Sequence, residues 1–136
     1  MRRSEVRLNR RRHDMRVMFM IKGDPEAGAA PSEELLAAMG RYNDELKEAG
    51  VLLDLAGLLP SAEGKRVKFS GGRGTVIDGP FPEPKTLIAG YWILQVQSMA
   101  EAVEWAERFP FEALSRIYPG EYGATGEIEI RQVFEV

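Results

Sequence analysis

The chain contains no cysteine, which excludes disulfides, thiolate metal sites and cysteine nucleophiles. Its single histidine is His13, so a Ser-His-Asp relay or a histidine metal cluster has no source within residues 15–136. No apolar run approaches the roughly 18–20 residues of a membrane span, and the arginine-rich start is not followed by a hydrophobic signal core. A cysteine-free chain with neither feature fits a reducing compartment, and a cytoplasmic protein is expected.

The 136 residues, 44% of them hydrophobic, are enough for one domain with a sheet and two covering helices. Charge is unevenly placed. Residues 1–14 hold six arginines against Glu5 and Asp14, and the remainder carries 12 basic and 19 acidic residues, a net −7. Residues 1–14 are read as a disordered arginine-rich extension, or as sequence upstream of a start at Met15. The acidic remainder has neither a basic stripe nor an aromatic platform, so no nucleic-acid partner is expected.

Val17-Met18-Phe19-Met20-Ile21 reads as a strand buried on both faces, ended by Gly23, Asp24 and Pro25. Ser32 stands as N-cap, with Glu33 and Glu34 in the first turn, of a helix over 32–49. Leu35, Met39, Tyr42 and Leu46 form its apolar stripe, and Gly50 is placed to end it. Residues 51–59 read as a strand closed by Pro60. Lys65–Ser70 alternates as a half-buried strand should, and Gly71-Gly72-Arg73-Gly74 turns it into Thr75-Val76-Ile77. That glycine run lacks P-loop spacing and precedes a strand, so it reads as a hairpin turn. Leu87–Val96 is the longest strand candidate and is expected in the centre of the sheet. Ser98 and Glu101 have capping-box spacing for a helix that Pro110 stops. Residues 112–126 read as a long loop holding a short helical turn, with Tyr118 and Tyr122 available for a lid or a partner surface. Glu127–Val136 is the last strand. The order predicts an α+β fold, a ferredoxin-like split βαβ with an added central hairpin.

Five landmarks occur in order: Met18-Phe19-Met20-Ile21-Lys22-Gly23-Asp24, Tyr42-Asn43 before Gly50, Asp78-Gly79-Pro80-Phe81, Ala89-Gly90-Tyr91-Trp92, and Glu127-Ile128-Glu129-Ile130-Arg131. Together, over residues 15–136, they resemble the YCII-related family in its DGPF branch. The resemblance implies a ferredoxin-like fold that pairs as a dimeric α+β barrel. It also implies a His-Asp pair in the namesake branch. Asp78 occupies the signature run here, while His13 lies outside the matched segment. The branch follows its signature with phenylalanine, a small residue, glutamate, threonine and lysine; this chain has Phe81-Pro82-Glu83-Pro84-Lys85.

The candidate ligand-binding or acid/base residues are Asp78, Asp24, Glu83, Lys85, Tyr42 and Tyr91. Asp78 ends a strand before a glycine and a proline, where a carboxylate either caps its own backbone or faces a ligand. Asp24 joins it if the strand ends converge, giving an acid and a base. Glu83 and Lys85 share the same connection. Tyr42 lies on the buried stripe with its hydroxyl at a pocket edge, and Tyr91 and Trp92 face opposite sides of their strand. The carboxylates are too few for a magnesium-type shell, so neither a metal nor another cofactor is expected. The apolar density of strands 17–21, 88–96 and 128–134 exceeds what two helices on one face can cover, and a homodimer is expected. The reading is a homodimeric small-ligand-binding or accessory protein. The alternative is a lyase, isomerase or hydrolase working through carboxylates around Asp78.

Overall fold

The computed structural model describes residues 14–25, 32–117 and 126–135. The expected extension, apart from Asp14, and the aromatic pair Tyr118 and Tyr122 lie outside them. The elements are β1 (Met15–Lys22), α1 (Glu33–Glu48), β2 (Leu52–Gly57), β3 (Lys65–Ser70), β4 (Arg73–Asp78), β5 (Ile88–Val96), α2 (Met99–Glu107), α3 (Phe111–Ile117) and β6 (Ile128–Gln132). Short 3-10 turns occupy Ser61–Glu63 and Pro84–Thr86. The main sheet has the order β2-β5-β1-β6 with every neighbour antiparallel, while β3 and β4 form a separate two-stranded sheet. This is the ferredoxin-like α+β arrangement, with the hairpin inserted between β2 and β5.

Local chemistry accounts for the helix starts. The Ser32 Oγ accepts from the Leu35 N–H at 3.1 Å, and the Ser98 Oγ from the Glu101 N–H at 3.1 Å, each satisfying a donor that the first turn leaves free. Glu101 reaches back to the Gln97 N–H at 3.0 Å, one residue before the cap. α3 is longer than the short turn expected from the glycine- and proline-rich stretch, because Phe111 and Leu114 pack into the core.

Register decides the two sheet faces. Val17, Phe19 and Ile21 sit opposite Leu94, Trp92 and Gly90 and form the core with Tyr42 and Leu46 of α1, Ala102 of α2, and Phe109. Tyr42, Trp92 and Phe109 meet edge to face, with ring centroids 5.5–5.9 Å apart, the arrangement that aligns positive ring edges with negative ring faces. Among the described residues the opposite face carries no helix. Across it run two rows, Asp54-Ile93-Met18-Arg131 and Ala56-Tyr91-Met20-Glu129. Their apolar middle is half-buried.

The hairpin corrects one expectation. Lys65–Ser70 is not half-buried: every residue of β3 and β4 is exposed. Alternation reports that a strand has two unlike faces, not that anything covers either of them.

Candidate functional site

The Asp78-Gly79-Pro80-Phe81 run stands where three segments cross. Asp24, just past β1, accepts the Ser61 N–H on Oδ1 at 2.7 Å and the Ser61 hydroxyl on Oδ2. The Ser61 Oγ in turn accepts from the Phe81 N–H at 3.0 Å, and the Gly79 N–H donates to the Gly64 carbonyl at 2.9 Å. One carboxylate therefore clasps the 3-10 turn before β3, and that turn clasps the connection after β4. Gly79 lies so close that a Cβ there would fall 1.7 Å from the Ser61 carbonyl oxygen. The Gly79-Pro80 peptide is cis. The Arg66 guanidinium lies 4.0 Å over the Phe81 ring, a cation–π contact that fixes the ring against the base of the hairpin.

Asp78 pairs with Lys65, its register partner at the foot of the hairpin, instead of capping its own backbone. Both side chains are about two-thirds or more exposed, at 66% for Lys65 and 75% for Asp78, and such a pair is worth little in water. Asp78→Asn is expected to leave stability within about 1 kcal/mol of the parent, read by urea unfolding; a larger loss would mean the charge carries more than this exposed pair.

Asp24 and Asp78 therefore have different partners, Ser61 for the one and Lys65 for the other. Glu83 adopts a left-handed backbone, φ 63°, uncommon for a residue with a Cβ. Its carbonyl receives both the Thr86 N–H at 2.9 Å and the Thr86 hydroxyl at 2.8 Å. The Glu83 and Lys85 side chains are exposed. The Tyr42 hydroxyl donates to the Trp105 carbonyl at 2.9 Å, and burial, with the negative charge of Glu45, raises its pKa far above that of a free phenol. It is thus a fixed donor rather than a base. Neighbouring Asn43 accepts the Trp92 indole N–H at 2.9 Å, so the Tyr-Asn pair ties α1 to α2 and to β5.

Tyr91 is the candidate on the helix-free face, where its hydroxyl donates to the Asp54 Oδ2 at 3.3 Å. Asp54 also accepts the Leu55 N–H at 2.9 Å. At the other edge Glu129 contacts Lys22 at 3.1 Å and Arg131 at 3.2 Å. The hydrogen bonds to those two cations hold the Glu129 carboxyl below the ordinary carboxylate range. Among the described residues no group of three or more carboxylates or imidazoles is placed to hold a metal, and no helix is long and apolar enough to cross a membrane. A separate cleft of about 340 Å³ lies on the helix side between α2 and β6, lined by apolar side chains together with Glu107 and Glu127.

Ser61 and Asp54 were not among the ligand-binding or acid/base candidates read from sequence. The signal for Ser61 was present in Pro60-Ser61-Ala62-Glu63, a turn-start pattern standing before a strand. For Asp54 there was none, since its partner depends on strand register.

An antiparallel β2-β5-β1-β6 sheet with helices on one face, and a clasped turn at the foot of an inserted hairpin, defines a small ferredoxin-like α+β domain. The family model for the YCII-related domain matches residues 15–136, and the chain belongs to that family. An uncharacterized protein from Rhizobium meliloti (strain 1021) is 29% identical over 99 residues, which cover 73% of this chain and 73% of that one.

Proposed function

We propose that the protein is a homodimeric binding module, small-ligand-binding or accessory in role, whose two copies close their helix-free sheet faces on one another as an α+β barrel. The observation that carries this is the apolar block Met18, Met20, Tyr91 and Ile93, on a face that no helix covers among the described residues. A stable interface removes at least ~1,200 Å² from water, and this face is where apolar area is available. The Tyr91–Asp54 pair would then edge the space between the sheets and offer a polar group to a small molecule held there. Binding is preferred to carboxylate chemistry because both oxygens of Asp24 are engaged by Ser61, while Asp78 pairs with Lys65 in open solvent. Sedimentation equilibrium at low micromolar concentration should give about twice the 15.2 kDa of the chain. A 15 kDa species would defeat the dimer.

A further inference from the structure

We propose that the β3–β4 hairpin is an exchanged arm, which seats Phe69 in the cleft between α2 and β6 of a second copy. This rests on the dimer reading and adds what the hairpin does within it.

Among the described residues the hairpin pairs only with itself, and a lone two-stranded sheet is marginal in water without cover. Its register puts Val67 opposite Val76 and Phe69 opposite Gly74 on one face. These side chains are 52%, 60% and 79% exposed for Val67, Val76 and Phe69. The Phe69 ring lies against Gly74, where a Cβ would come within 3.3 Å of it. The other face presents Arg66, Lys68 and Arg73. Residues 65–78 carry four basic side chains against Asp78, whereas the rest of 15–136 holds 8 basic and 18 acidic residues. The arm is the cationic part of an otherwise acidic domain, and its electrostatic complement is a second copy of that domain.

The cleft matches the arm in both respects. Ile21, Ala106, Phe109 and Ile130 offer an apolar seat with room for a phenyl ring, and Glu107 and Glu127 supply negative charge beside it. Topology makes the meeting possible. The arm is rooted beside the end of β1, where Asp24 holds Ser61, and the cleft opens by Ile21 and Ile128 near that same end of the sheet. When two sheets face each other across a two-fold axis running along the strands, that end of one copy lies over the same end of its partner. Each arm then reaches past the partner's strand ends towards its cleft, and the two-fold engages both arms at once.

The absence of cysteine from the chain makes the test clean. A Phe69→Cys protein and a Val103→Cys protein, the latter altered at a 40% exposed cleft residue, are mixed and treated with a short bis-thiol cross-linker. The expected product is a covalent dimer formed between the two variants in preference to either with itself. In parallel, Phe69→Ser should weaken dimerisation by at least ~10-fold in sedimentation, as loss of an aromatic anchor does, with the fold unchanged because the residue is exposed. A chain that sediments at 15 kDa overturns the dimer and the arm together. A 30 kDa species that links Phe69→Cys only to itself, or links nothing, or is unaffected by Phe69→Ser, leaves the dimer standing and overturns the arm alone.

Discussion

Gly79→Ala is expected to destabilise the domain by about 3 kcal/mol or more, the upper range of overpacking penalties. The added methyl carbon would stand 1.7 Å from the Ser61 carbonyl oxygen and 2.7 Å from its carbon. The obstacle is backbone, so no rotamer change relieves it. Nor is the backbone free to withdraw: the Ser61 N–H is held by Asp24, and the Gly79 N–H by the Gly64 carbonyl. In thermal unfolding this corresponds to a fall of roughly 10 °C for a domain of this size. Gly57→Ala is the control, because a Cβ there meets nothing within 4 Å, and it should be nearly silent. A Gly79→Ala midpoint within a degree or two of the parent would show that the crossing of the two turns yields easily.

Asp24→Ala is the second large effect, about 2–4 kcal/mol. It removes two hydrogen bonds to a charged acceptor and leaves a partly buried Ser61 N–H and hydroxyl without it, each loss costing about 1–3 kcal/mol. Ser61→Ala breaks the hydroxyl's bonds to Asp24 and to the Phe81 N–H but keeps the backbone bond to Asp24. The two substitutions should therefore couple, with the double variant less destabilised than the sum of the singles by at least ~0.5 kcal/mol. Chemical denaturation of the four proteins in the cycle measures this. Additivity would mean that Asp24 and Ser61 act separately rather than as one clasp.

Legibility in the sequence followed the range of the interactions. Both helix caps were readable because Ser32 and Ser98 bond three residues away. The central place of β5 was readable because Trp92, Leu94 and Val96 are too apolar for an edge. Asp24 was readable as a turn residue beside Pro25, but its partner lies 37 positions on, and nothing local marks that distance. Asp54 turns on a smaller accident. Between Leu52 and Asp54 the pairing with β5 slips by one residue, so that Leu52 faces Leu94 while Asp54 faces Ile93. The slip leaves Leu53 exposed and puts Asp54 on the face that holds Tyr91. A bulge of one residue reverses every later side chain, and the Leu-Leu-Asp-Leu pattern does not announce it.

The clasp also bears on the hairpin that rises from it. Ser61 and Gly64 precede β3, Gly79 and Phe81 follow β4, and hydrogen bonds join the two sides at 3.0 Å and 2.9 Å. Both feet of the projection are thus anchored to one point beside the end of β1, and Arg66 on Phe81 braces it from the side. A tethered strand pair hinged at one foot would sample many directions, and any partner would have to arrest that motion on contact. With both feet fixed, much of that orientational entropy is lost during folding rather than during encounter, and association is correspondingly less costly.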